Sequence, residues 1–263
     1  MDSVNRRAWS EAATVRWFRE LEGWTDEGER VALESVADEV RGEPILDLGV
    51  GAGRTVPLLR ALSGDYAALD YTPELVEACR AKYPDVNVAL GDARDLSRFR
   101  DRTFQLVVFS FNGIDAVNRD DRFQILREVH RVLRDDGIFL FSAHNRQGPG
   151  SEEGLSLGVH RTRNPFKLVG RVAQALLHAG ETIRNYQRYS KLTYQDDDYA
   201  IRNAAAHQHA VLFHYTSLEG QLRQLEDARF RRNPVVIGST TGRVIARGDD
   251  VRNEWWFHFV ARK

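Results

Sequence analysis

The apolar positions along the chain follow two different periods. From residue 8 to 40 they recur at helical spacing, with Trp9, Val15, Phe18 and Leu21 on one register and Val31, Leu33, Val36 and Val40 on another. Gly23-Trp24-Thr25-Asp26 interrupts them. Beyond residue 43, short apolar runs alternate with amphipathic stretches. The runs 44–49, 65–71, 86–90, 104–111 and 138–142 read as strands, and 54–62, 73–83 and 119–134 as helices. Thr72-Pro73-Glu74 supplies an N-cap, a proline at the first helical position and an acid in the first turn. The run 104–111 is apolar throughout, as in a parallel strand buried on both faces. This succession of βα units predicts an α/β fold with a doubly wound parallel sheet and helices on both faces.

The alternation stops after residue 145. Residues 146–210 are polar, with one amphipathic helix over 165–179 and then a Tyr- and Arg-rich stretch. That is too long for a plain connection, so it reads as a cap inserted over the strand ends after strand five. A helix over 217–228 and strands over 234–239 and 254–261 close the chain. The organisation is therefore N-terminal helices at 1–43, a core at 44–145, a cap at 146–210 and closing elements at 211–263.

Composition narrows the function classes. The net charge is −1, so no global basic field draws the chain to nucleic acid or to an anionic membrane. No run of about 18 apolar residues occurs, and Met-Asp-Ser-Val-Asn-Arg-Arg at the start holds no apolar signal segment. These features predict a soluble, cytoplasmic protein. Cys79 is the single cysteine, which excludes an intrachain disulfide.

The most telling motif is Ile45-Leu-Asp-Leu-Gly-Val-Gly-Ala-Gly-Arg-Thr55. Asp47, Gly49, Gly51 and Gly53 sit where a strand ends and a helix begins. Glycines there let the backbone approach a ligand, and the helix N-terminus favours a polar or anionic group. The dinucleotide fingerprint has a further glycine at the next position, where this chain has Arg54. Asp70 ends strand two, where a carboxylate can accept ribose hydroxyls. Asp92 ends strand three, within reach of an adenine amino group.

These residues resemble the glycine and acid motifs of the class I S-adenosylmethionine-dependent methyltransferases, over residues 44–145 closely and over the closing helix and strands more loosely. The resemblance implies a Rossmann-like seven-stranded sheet with its last strand antiparallel, and S-adenosylmethionine as cofactor. It places Tyr71 beside the adenine, Ala93 next to Asp92, and Phe109 and Asn112 under the methionine part. It also implies that the N-terminal helices fold over the cofactor, and the aromatic faces of Trp17, Phe18 and Trp24 suit a sulfonium cation.

Methyl transfer to a hydroxyl needs a general base within hydrogen-bond reach. His144 follows strand five at the carboxyl edge of the sheet and fits that role. Asn145 is placed to hold an acceptor hydroxyl. Asp115 reads either as an orienting partner for His144 or acceptor contact, or as a helix cap. His214 and Tyr215 precede the closing helix and are candidates for the acceptor pocket. The Tyr-, Asn-, Gln-, Arg- and His-rich cap predicts a small polar acceptor, a sugar or glycoside, with an amino sugar or other amine as the alternative. A nicotinamide-dependent oxidoreductase and a non-catalytic cofactor-binding protein are the rivals outside this class. His207, His209 and His214 with Asp196, Asp197 and Asp198 invite a metal reading, with the His207-x-His209 pair placing both rings on one face of a strand, but no third ligand lies at a diagnostic spacing from that pair, so no metal is expected. Arg161, Arg163, Lys167 and Arg171 form either a solvated helix face or a contact to an acidic acceptor. The oligomeric state stays open, a homodimer included.

Overall fold

The computed structural model describes residues 1–151, 154–157 and 165–263. Its main sheet has the order β3-β2-β1-β4-β5-β10-β9. The strands are β1 (Ile45–Leu48), β2 (Tyr66–Asp70), β3 (Asn87–Leu90), β4 (Phe104–Phe109), β5 (Leu133–His144), β9 (Val235–Gly238) and β10 (Trp256–Arg262). The first five run parallel, and β10 pairs antiparallel with both β5 and β9. This is the expected sheet with an antiparallel last strand.

Alternation along each strand divides the core in two. Leu46, Leu48, Val107, Phe139, Phe141 and Phe259 face one side, where α6 (Arg119–Val132) and α9 (Leu218–Asp227) cover them. Ile45, Ala68, Leu106, Val108, Ile138 and Leu140 face the other, under α3 (Glu27–Val40), α4 (Val56–Arg60) and α5 (Pro73–Lys82). A sheet covered on both faces needs apolar residues at successive positions, which is why these strands read as continuous runs. Strand five begins earlier than its sequence suggests. Leu133 pairs with Phe104, and the ladder resumes at Ile138 opposite Leu106 after an irregularity that includes Asp136 at φ 64°.

Two helices precede this core, α1 (Asp2–Ser10) and α2 (Ala12–Glu20). The buried Asn5 amide donates to the carbonyls of Ala116 and Leu212 and accepts from the Leu212 N–H, so α1 is fastened to both the core and the cap.

The cap departs from its sequence reading. Its helix α7 (Pro165–Tyr189) runs ten residues past the expected end, through Gly180, an interior position where glycine costs only about 1 kcal/mol relative to alanine. A three-stranded antiparallel sheet follows, made of β6 (Tyr194–Gln195), β7 (Tyr199–Ala204) and β8 (Val211–Thr216), with the short turn α8 (Ala206–His209) between the last two. The small sheet therefore extends through residue 216, beyond the boundary drawn at 210. An Asn145–Thr216 bridge joins it to the end of β5. No helix among the described residues is long and apolar enough to cross a membrane.

Candidate active site

Chain order reverses between β1 and β4, and an open α/β sheet has its ligand crevice beyond the strand ends at such a point. A cavity of about 280 Å³ lies there. Turns after β1, β2, β3 and β4, the end of β5 and the start of β10 line its floor, while α1, α2, His207 and Phe213 form its roof.

The glycine motif serves two purposes. Gly49 and Gly51 line the cavity with φ of 63° and 57°, a left-handed conformation that glycine adopts without strain. Gly53 does not reach it. A Cβ there would lie 2.5 Å from the Tyr83 ring, so this glycine lets α5 pack against the turn. Asp47 is also a correction. Its buried carboxylate accepts from the Thr55 and Tyr66 hydroxyls, at 2.5 and 2.7 Å, and does not line the cavity. Burial pushes its pKa up to about 6. Arg54 turns inward, pairs with buried Glu29 through two hydrogen bonds of 2.8 Å and donates to Ser110 at 2.5 Å. This network ties α3 to the end of β4, a role the motif did not reveal.

Asp70, Tyr71, Asp92, Ala93, Phe109 and Asn112 all line the cavity. Asp70 accepts backbone N–H bonds from Gly51 and Thr72 at 2.9 and 2.8 Å, so it also fixes the glycine turn. Burial raises its pKa against the pull of those bonds. Burial also works against ionisation of Asp92, yet hydrogen bonds from Arg94 outweigh it and hold this carboxyl below the usual range. Arg94 reaches Asp121 and Asp2 as well, linking α1 and α6 to the rim. The Arg6 guanidinium lies 4.3 Å over the Tyr71 ring.

His144 stands at the opposite end. Its Nδ1–H donates to Asp115 at 2.8 Å, and its backbone N–H donates to the same oxygen at 2.6 Å. The second Asp115 oxygen accepts from Arg122, which is buried with Asp115 and also donates to the Ile114 carbonyl, Gln221 and Gln224. Because the carboxylate takes the Nδ1 proton, the Nε2 lone pair is left for the cavity. The Asn112 amide is 3.5 Å from Nε2, at the outer limit of a hydrogen bond. Asp115 belongs to a 3₁₀ turn over Gly113–Ala116, and its carboxylate orients His144 rather than capping α6, whose cap is Asn118.

Three other candidates face away. The Asn145 amide donates to the carbonyls of Val251 and Glu254 and is absent from the cavity wall. His214 is buried behind the wall, stacked on Tyr199 at 4.8 Å. Tyr215 packs against the His144 ring, also at 4.8 Å, from behind. The three cap histidines are dispersed, and His207 and His209 occupy a left-handed turn rather than one strand face. No cluster of three metal-binding side chains occurs among the described residues. Arg161 and Arg163 lie outside the described residues, as do the side chains of Lys167 and Arg171.

Sequence reasoning missed the aromatic belt. Rings follow one another from Phe213 to His144 (4.8 Å between centroids), Trp256 (6.3 Å), Phe111 (6.3 Å) and Trp17 (6.1 Å), then to His207 (5.6 Å), Trp9 (5.1 Å) and back to Phe213 (6.1 Å). All seven line the cavity. Trp24 stands outside it, edge-on to Phe111 at 5.7 Å. Trp256 is fixed by its indole N–H bond to Asp26 at 2.8 Å.

A family described as a methyltransferase domain matches residues 45–137, the stretch that carries the glycine turn, both cleft acids and the ends of β4 and α6. A probable S-adenosylmethionine-dependent methyltransferase of Mycolicibacterium smegmatis is 29% identical over 169 residues, 64% of this chain and 61% of the relative. Residues 45–137 carry a methyltransferase domain, and the chain is similar to S-adenosylmethionine-dependent methyltransferases. It spans about half the length of the curated relatives it matches. Two solved structures share the fold. An S-adenosylmethionine-dependent methyltransferase from Mesorhizobium loti has a TM-score of 0.59 at 19% identity, covering 90% of this chain and 98% of that one. The 1,6-didemethyltoxoflavin-N1-methyltransferase of Burkholderia thailandensis, solved with 1,6-didemethyltoxoflavin and S-adenosylhomocysteine, has 0.54 at 14%, covering 90% and 78%.

The relatives' cofactor is S-adenosylmethionine, and the residues present suit it. The cleft offers two carboxylates on neighbouring strand ends, and Asn112 presents a buried side-chain oxygen with no protein partner. A buried acceptor of that kind calls for a donor, which an ammonium group supplies.

Proposed function

We propose that this chain methylates a hydroxyl group of a small molecule, with His144 as general base. The observation that carries the reading is the Asp115–His144 pair, which leaves the Nε2 lone pair of a cavity-lining imidazole available. Asp70 and Asp92 are suited to the ribose and adenine ends of the cofactor, and Asn112 to its amino acid end. S-adenosylmethionine supplies an electrophilic methyl carbon, whose bond to sulfur breaks as a bond to the acceptor oxygen forms, leaving S-adenosylhomocysteine.

The residues of the chain do the rest. His144 Nε2 accepts the hydroxyl proton, and Asp115 stabilises the imidazolium that results. Helices α1 and α2 line the roof of the cleft. A sugar acceptor receives less support than a hydroxyl acceptor in general, because Asn145 and His214, two of its expected contacts, point elsewhere. An amine acceptor would make less use of the base.

Replacing His144 by Ala tests the reading. Turnover with a hydroxyl acceptor should fall about 10²–10⁴-fold, the usual contribution of a general base, while calorimetric affinity for S-adenosylhomocysteine stays within about twofold. Unchanged hydroxyl methylation in a folded variant would remove His144 from the mechanism.

A further inference from the structure

We infer that the acceptor is a planar, largely apolar ring compound bearing the hydroxyl, held inside the aromatic belt above His144. The inference rests on the methyl-transfer reading and adds the acceptor's class.

The belt has the composition of a stacking site. Seven rings line the cavity, and Phe18 lies against Trp17 with its ring centroid 5.0 Å away. Flat π-systems gain from offset or edge-on contacts with such rings, beyond the area they bury. Several polar edges of the belt are already engaged. Trp256 donates to Asp26, His207 Nδ1 meets the Thr14 hydroxyl at 3.2 Å, and His144 Nδ1 serves Asp115. Burial drops the His207 pKa to about 4, so at neutral pH this roof residue is an uncharged ring. A polyol in this space would have several hydroxyls facing ring faces, and each unpaired polar group opposes binding. A flat ring with one hydroxyl presents its apolar faces to the belt and its polar edge to His144 Nε2.

Several polar groups among the described cap residues serve the cap itself. Arg146 donates to the carbonyls of Asp196 and Asp197, Arg202 to Gln195, and Asn203 to the carbonyls of His209 and Val211. These polar side chains are spent on internal bonding of the small sheet.

The test uses the full chain with S-adenosylhomocysteine bound and two probes, 2-naphthol and methyl α-glucopyranoside. Calorimetry should give 2-naphthol at least a 30-fold tighter dissociation constant. Trp17→Ala, at a half-exposed belt position on α2, should weaken 2-naphthol about tenfold and weaken S-adenosylhomocysteine by less than about threefold. With S-adenosylmethionine, 2-naphthol should yield its methyl ether with the higher kcat/KM. Tighter binding or faster methylation of the glucoside, or a naphthol affinity that Trp17→Ala leaves unmoved, overturns the inference. Naphthol binding in the belt with no methyl transfer to either probe supports the acceptor class and instead counts against the methyl-transfer reading.

Discussion

Asp115→Asn keeps the shape of the side chain and removes its charge. In the native site one carboxylate oxygen accepts two N–H bonds from His144, and the other accepts from Arg122. An amide has only one oxygen for these two positions. The charged guanidinium makes the stronger claim on it, so the amide NH₂ turns toward His144. Nδ1 must then become the acceptor, and the ring proton moves to Nε2, the atom facing the cavity. A base in the wrong tautomer loses the proton-accepting step, worth about 10²–10⁴ in rate, or about 3–5 kcal/mol of barrier. The second effect is on stability. Breaking a buried ion pair costs about 3–5 kcal/mol, and the retained bonds of Arg122 to Ile114, Gln221 and Gln224 place this case near 3. That is within the roughly 5–15 kcal/mol stability of a typical domain, so the variant folds and can be assayed. The assay is methyl transfer at saturating cofactor, paired with urea unfolding. Adding Arg122→Met frees the amide oxygen to turn back, so part of the turnover should return. An Asp115→Asn protein with native turnover would refute the tautomer argument.

Two further predictions concern stability. Arg54→Met strands the buried Glu29 carboxylate and should lower unfolding free energy by about 3–5 kcal/mol, read from urea midpoints; Glu29→Leu in the same chain should recover most of it. His207 has its pKa depressed to about 4 from the ordinary 6.5, so the unfolded chain takes up this proton first as the solution is acidified. Its stabilisation is complete above pH 6.5 and is lost as pH falls toward 4, by at most about 3 kcal/mol. The difference between native and His207→Asn unfolding free energies should shrink across that window, and a difference independent of pH would show that His207 is not buried as a neutral ring.

The parallel core was readable because its signals are local. Strands buried on both faces must be apolar at successive positions, and the Thr72-Pro73-Glu74 start needs no tertiary partner. The ends of elements were harder. Nothing in Asp135-Asp136-Gly137 indicates that β5 begins at Leu133, since the irregularity there depends on pairing with β4. The small sheet was hidden because β7 and β8 mix polar and apolar residues, and their pairing supplies order that periodicity lacks. At the site, the cleft position of Asp70, Asp92, Asn112 and His144 followed from the sheet edge, which any βα unit defines. Asp47 and Gly53 share the same motif, yet side chains from β2, α4 and α5 claim them. The belt draws Trp9 and Trp17, His207, Phe213 and Trp256 from five separate elements, so only the fold brings them together.

The most direct measurement is a calorimetric titration of the purified chain with S-adenosylhomocysteine, with NADH as the control ligand. The account predicts one site of micromolar affinity for the former, weakened by Asn112→Ala, and no heat with NADH. Absence of S-adenosylhomocysteine binding, or preference for NADH, would contradict the assignment of the cleft and everything built on it.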